Sequence, residues 1–270
     1  MWPTKPQRAD SVLGARILGN QAGVMVDEQR FLRQMLVSGI GEAGQRAIGR
    51  GRVLVVGCGA LGSVIASFLV RAGVGVVRLV DPDRVELCNL HRQILFDEQD
   101  ASEGRAKVEA AVARLERVHP SVRLEALLTR LDEGNADDLI RHVDVVADAT
   151  DNFETRYLIN EACVRLGIPW VYGGVVGMTG MSMTVVPHRT PCLRCVFPEA
   201  PRPGVGRAPE RDGVFGPVVG VVGSLEAGEV LKLLVGGEPS YGLARVDLSD
   251  GTLARLNLGG RRADCETCGS

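Results

Sequence analysis

Aromatic residues are scarce in this sequence, at 4% of 270 residues, and neither sign of charge prevails, with 31 Lys and Arg against 33 Asp and Glu. A nucleic-acid partner calls for a basic footprint or an aromatic stacking platform, so none is expected. The first ten residues lack an apolar run, being broken by Pro3, Lys5, Pro6, Arg8 and Asp10. That argues against a secretory leader and for the cytoplasm. No membrane partner is expected either. The uncharged stretch 168–187 is long enough to span a bilayer, yet Pro169, Gly173, Gly174, Gly177 and Gly180 divide it. It reads as two buried strands joined by a turn. Seven cysteines in such a compartment predict no disulfide framework.

What the sequence has in plenty is hydrophobic residues, 45% of the total, enough for a sizeable core. Residues 1–26 show no periodicity and are expected to form a poorly ordered arm, with 27–270 as one domain. Phe31, Leu32, Met35 and Leu36 recur at helical spacing before a Gly-rich break at 39–44. The β-branched runs 52–57 (RVLVVG) and 76–81 (VVRLVD) read as strands buried on both faces, with a helix over 60–72 between them. Further helices are predicted over 104–118, 136–141 and 154–166, alternating with strands over 122–127, 143–149 and 168–172. Such repeated β-α-β units imply a Rossmann-like, doubly wound α/β fold with a mostly parallel sheet. After Thr184 come short strands, a Pro/Gly-rich loop at 197–216, a helix over 218–235 and two last strands.

Chemistry concentrates in this frame. Gly57, Gly59 and Gly62 form GxGxxG between a strand and a helix, where backbone and helix N-terminus can approach a phosphate. Alone this hexapeptide is weak, since it also serves as a tightly packed turn. Asp81 ends the next strand, 19 residues after Gly62, where a carboxylate can accept hydrogen bonds from a ribose. An NAD-dependent oxidoreductase and an ATP-using enzyme share this half of the fold. Asn89, Arg92 and Gln93 in NLHRQ, Lys107, and the pair Asp151-Asn152 separate them, because cations neutralise a triphosphate and a carboxylate at a strand end can hold Mg²⁺. Hydride transfer needs none of these. Cys192, Cys195, Cys265 and Cys268 form two CxxC pairs suited to tetrahedral zinc, although 70 positions separate Cys195 from Cys265. Two unrelated turns would read the same way. Cys58, Cys88 and Cys163 lie in apolar segments and read as small buried hydrophobes.

The segments LVDPDRVELCNLHRQ, GRAKVEAA and DATDN resemble the nucleotide-site motifs of the ThiF/MoeB/HesA family, in the family's order and spacing from about Asp27 to Cys268. The resemblance implies an adenylyltransferase that uses ATP and Mg²⁺ to activate the C-terminal Gly-Gly carboxylate of a small ubiquitin-like sulfur-carrier protein. It implies that Asp81 holds the ribose, that Asn89, Arg92, Gln93 and Lys107 contact phosphates, and that Asp151 holds magnesium. Arg33 matches an arginine that the family inserts into the neighbouring subunit's ATP site, so a homodimer is implied; otherwise Arg33 is a solvated helix charge. The four cysteines match the family's zinc site and would staple the C-terminal tail. His91 is read as incidental. The sequence departs from the family at the crossover loop, where Pro209 stands near a common cysteine position and Val196 to Asp264 contains no Cys. No thioester or persulfide can form from that loop, which leaves the first half-reaction and a separate persulfide donor. A silent binding module and an adenylating enzyme for a small molecule, peptide or RNA base are the other readings of the motifs.

Overall fold

The computed structural model of the chain describes residues 28–200 and 209–269. The expected N-terminal arm at 1–26 and residues 201–208 of the crossover loop lie outside the described residues. The chain runs through α1 (Glu28–Met35), α2 (Gly41–Arg50), β1 (Arg52–Val56), α3 (Ala60–Ala72), β2 (Val76–Val80), a 3₁₀ turn (Leu87–Asn89), α4 (Glu98–Ser102), α5 (Lys107–Val118) and β3 (Arg123–Leu127). It continues through α6 (Ala136–Ile140), β4 (Val145–Asp148), α7 (Phe153–Leu166), β5 (Trp170–Val176), β6 (Thr179–Val185), α8 (Leu193–Val196), α9 (Pro209–Asp212), α10 (Gly216–Leu234), β7 (Leu243–Asp247) and β8 (Thr252–Leu256).

These strands make one sheet in the order β3-β2-β1-β4-β5-β6-β7-β8. β3, β2, β1, β4 and β5 are mutually parallel, and β6, β7 and β8 add antiparallel ladders. Strand alternation sends Val53 and Val55 of β1 to one face and Leu54 and Val56 to the other. The first face buries α3, α5 and α10, with Ile48 of α2. The second buries α6 and α7 together with Cys192, Leu193, Cys265 and Cys268. Helices on both faces force central strands to be apolar on both sides, which is why RVLVV carries no alternation of polarity.

The stretch 168–187 forms the β5–β6 hairpin, paired from Trp170↔Val185 to Val176↔Thr179. No helix among the described residues is long and apolar enough to cross a membrane. The reading of 39–44 as a break fails in part. The Gly-rich break at 39–44 is partly the start of α2, held by contacts distant in sequence: Gln45 Nε2 donates to the Ala72 carbonyl at 2.9 Å, and Ile48 is fully buried.

Candidate functional site

A cavity of about 660 Å³ opens at the carboxyl ends of β1, β2 and β4. From β1 the chain crosses to β2 on one side, and it returns through β4 on the other, so the crevice lies at the point where strand order reverses.

The glycine turn makes the cavity's inner edge. Gly57 has φ +94°, and a Cβ there would stand 2.5 Å from the Ala149 carbonyl oxygen of the neighbouring strand end. A Cβ at Gly62 would run into the Gly57 carbonyl, so α3 sits directly on the turn. Gly59 and Ala60 face the cavity, and Gly62 acts through this packing instead. Gly59 is the N-cap of α3 without a side-chain cap bond, which leaves first-turn N–H groups and the positive helix end for an anion.

Asp81 lies beside this turn, buried at the end of β2. Its Oδ2 accepts the Cys58 N–H at 2.7 Å and its Oδ1 the Asp83 N–H at 2.8 Å. Burial raises its carboxyl above the ordinary aspartate value, against the lowering effects of the Lys107 charge and the two N–H donors. Lys107 opens α5, largely buried, with Nζ 2.9 Å from Oδ2 of Asp83. Its backbone N–H donates to the Asp83 carbonyl at 3.0 Å, so the segment after β2 and the start of α5 are pinned together.

The 3₁₀ turn presents the NLHRQ residues. Asn89 is buried, and its Oδ1 accepts the Glu86 N–H at 3.2 Å. Arg92 is half-buried and donates from Nη1 to the Cys88 carbonyl at 2.9 Å. Gln93 is buried with Oε1 unpartnered among the described residues. Past the end of β4, Asp151 is exposed, and Asn152 caps α7 by accepting the Thr155 N–H at 2.9 Å. The structure thus brings Gly57, Gly59, Asp81, Asn89, Arg92, Gln93, Lys107, Asp151 and Asn152 into one wall. Arg33 is not in it: this residue is exposed on α1. Cys58 and Cys163 are buried as expected, but Cys88 is exposed because its turn leaves the core.

Sequence reasoning missed Asp83, Arg84, Arg130, Arg156 and Tyr172, all of which line the cavity. A signal for one was present. Asp148 sits in a strand buried on both faces, and a carboxylate there demands a buried partner. That partner is Arg156, at 3.2 Å.

The four CxxC cysteines meet beside the middle of α7, where Asn160 accepts the Leu193 N–H. Their sulfurs all lie within 4.8 Å of one another, and three of the distances are 3.9 Å (Cys192–Cys195), 3.6 Å (Cys192–Cys265) and 3.4 Å (Cys195–Cys268). Zn–S bonds of about 2.3 Å in a tetrahedron place sulfurs about 3.8 Å apart, so the donor set fits such an ion. Burial raises the Cys192 and Cys195 thiols. At Cys265 burial is outweighed by N–H groups of Cys268 and Thr267 and by the neighbouring thiols, bringing it down to about 7.

The model of the ThiF family matches residues 31–267. A sulfur carrier protein adenylyltransferase of Thermus thermophilus is 43% identical over 248 residues, covering 89% of this chain and 90% of that one. The adenylyltransferase and sulfurtransferase MOCS3 of Sus scrofa is 41% identical over 97% of this chain, which spans 58% of the length of that protein. In fold, a crystal structure of E. coli MccB with MccA-N7isoASN superposes with a TM-score of 0.79 at 23% identity, covering 91% of this chain and 76% of that one. With the family's motifs gathered on one cavity wall and its model matched along nearly all the described chain, this chain belongs to the ThiF family.

Proposed function

We infer that this chain is an ATP-dependent adenylyltransferase acting on the C-terminal carboxylate of a small ubiquitin-like sulfur-carrier protein, with residues 27–270 as the working unit. The observation that carries the reading is the cavity wall itself. The N-terminus of α3, the cations Arg92 and Lys107, and the carboxylates Asp81 and Asp151 all line the same cavity.

In the reaction, a carboxylate oxygen of the carrier attacks the α-phosphorus of ATP. An acyl-adenylate forms, and pyrophosphate leaves with the electron pair of the broken P–O bond. The charge that grows on the α-phosphate and the leaving pyrophosphate is stabilised by Arg92 and Lys107 and by the α3 N-terminus. Asp81 accepts from the ribose hydroxyls, with the lone pairs its two backbone donors leave over. Asn89, Gln93 and Asn152 supply neutral polar contacts to the nucleotide. Asp151 is the group that would hold Mg²⁺, which supplies charge neutralisation between phosphates. The four cysteines would hold one structural Zn²⁺, closed to substrate because all four positions are thiolates.

Two partners complete the proposal. Arg33 stands on α1 beside exposed Leu32, Leu36 and Val37, an apolar stripe that a second copy would cover, and from there it would reach the neighbouring ATP site in a homodimer. The sulfur that converts the adenylate to a thiocarboxylate comes from a separate persulfide donor. The decisive experiment is exchange of labelled pyrophosphate into ATP with and without a carrier protein. Exchange that requires the carrier's terminal glycines supports the reading, and exchange indifferent to their removal overturns it.

A further inference from the structure

Arg156 is a buried charge in the cavity wall that the motif reading passed over. It lies one turn into α7, four residues past the N-cap Asn152, and is 6% exposed. Its guanidinium joins one carboxylate and two backbone carbonyls. Nε donates to Oδ2 of Asp148 at 3.2 Å, and Nη2 donates to the carbonyl oxygens of Thr150 at 2.6 Å and Gly173 at 3.2 Å. The other carboxylate oxygen of Asp148 accepts the N–H and the hydroxyl of Thr150, at 2.9 and 2.6 Å. The rings of Phe153 and Tyr172 each lie 5.2 Å from the guanidinium carbon. The end of β4, the turn after it and the middle of β5 are therefore fixed to one another through a single planar group.

Asp151 depends on that arrangement. Its carboxylate is exposed and receives one hydrogen bond among the described residues, from its neighbour Asn152 at 3.3 Å. That one long hydrogen bond comes from the adjacent residue and the Arg156 charge acts on it from within the same turn, so its direction follows the backbone of the turn. The carbonyl immediately before it, that of Thr150, is the one Arg156 grips most closely. A buried ion pair is a poor source of net stability, because desolvation offsets most of the attraction. The value of this pair lies in the geometry it enforces.

We propose that Arg156 is a positioning residue for Asp151, locking the 148–151 turn so that the Asp151 carboxylate meets the metal carried by the bound nucleotide. The proposal rests on the adenylation reading for the nature of that ligand. Lysine retains the charge but presents one ammonium point in place of a planar fork, so it cannot span the three oxygens of β4, the turn after it and β5 in the same geometry.

The test uses Arg156→Lys and Arg156→Ala in the full-length chain. Folding is read from zinc content and thermal midpoint, and nucleotide affinity from calorimetry without divalent metal. Metal affinity is read by electron paramagnetic resonance of Mn²⁺ with a non-hydrolysable ATP analogue. In Arg156→Lys, fold and metal-free nucleotide affinity should be unchanged, while Mn²⁺ affinity falls about 10- to 100-fold, as is usual when a group supporting a metal ligand is lost. Added guanidinium ion should restore part of the Mn²⁺ affinity to Arg156→Ala. A folded Arg156→Lys with wild-type Mn²⁺ affinity overturns the proposal, as does failure of both variants to fold, which would make the residue a structural one. Because the Mn²⁺ measurement needs no carrier protein, absence of carrier-dependent exchange in the wild type would overturn the functional reading without deciding this one.

Discussion

At the scale of single residues, the cations of the cavity differ in how they are held. Lys107 is already paired with the Asp83 carboxylate at 2.9 Å, whereas Arg92 engages Nη1 with the Cys88 carbonyl at 2.9 Å and the neighbouring His91 Nε2 at 3.5 Å and meets no carboxylate among the described residues. Substituting either by alanine, or Asp151 by alanine, should lower carrier-dependent pyrophosphate exchange about a hundredfold to a thousandfold, the usual effect of removing one transition-state contact. Lys107→Ala should also weaken nucleotide binding, measured by calorimetry, because it leaves Asp83 unpaired near Asp81. Glu226 makes a different prediction. It is fully buried in α10 against Gly173, with neither oxygen partnered among the described residues. Burial first, then the Asp148 charge, raises its carboxyl well above the ordinary 4.5, with Arg156 opposing. The folded chain therefore keeps a proton that the unfolded chain releases above about pH 4.5, and stability is lost as pH rises beyond that value. Glu226→Gln removes this loss. Its thermal midpoint should rise above that of the wild type by a few degrees near neutral pH, at about 2–4 °C per kcal/mol for a chain of this length, with the gap closing toward about pH 5. A gap that does not vary with pH would show that Glu226 is ionised in the fold.

At the scale of elements, α7 joins two regions that look unrelated in the sequence. Asn152, Arg156 and Asn160 recur at intervals of four and so share one stripe. Asn152 caps the helix at the cavity, Arg156 ties the strand ends, and Asn160 accepts the Leu193 N–H at 2.9 Å, which seats the first CxxC turn. On the next stripe, the Tyr157 hydroxyl donates to the Phe197 carbonyl at 2.9 Å, and Glu161 accepts from Arg194 at 2.7 Å. The alternation of apolar strands and helices was legible because each period is local to its own segment. What was not legible depended on distant partners. α2 has three glycines, a poor helix composition, and is stabilised by burial against Ala72, Leu234 and Val235. The roles of Arg156 and Asn160 arise from strands and turns far along the chain, so spacing could place them on a helix face but could not say what they touch. The second CxxC follows β8, whose residues are all exposed, and among the described apolar side chains after it Leu258 and the two cysteines are the ones that pack on the core. Zinc should therefore carry much of its attachment. Metal analysis should find about one zinc per chain, and Cys265→Ser should lose it and lower the thermal midpoint by several degrees. A zinc-free wild type of unchanged stability would sink this.

At the scale of the whole molecule, the sheet order explains how cysteines 70 positions apart meet. β6 turns back beside β5, and β7 and β8 extend the same sheet, so the chain after β8 returns to the face that carries α7 and α8. Arg33 has no such route to the cavity of its own chain. α1 is fastened by Phe31, stacked on His119 with ring centroids 5.7 Å apart, and by Gln34, which donates to Gln45 at 2.6 Å. With that side fixed inward, Leu32, Arg33 and Leu36 face outward. If Arg33 serves the ATP site of a partner copy, Arg33→Ala and Asp151→Ala should each be inactive alone and complement each other when subunits exchange. Equal mixing gives half mixed dimers, and in each of these one site of two combines an intact Arg33 with an intact Asp151. Exchange activity should therefore recover to about a quarter of the wild-type value per site, as isologous pairing requires. Sedimentation should report dimers in both variants. Recovery no greater than the sum of the two separate proteins would remove Arg33 from the neighbouring site, and an active Arg33→Ala protein would remove it from the reaction altogether.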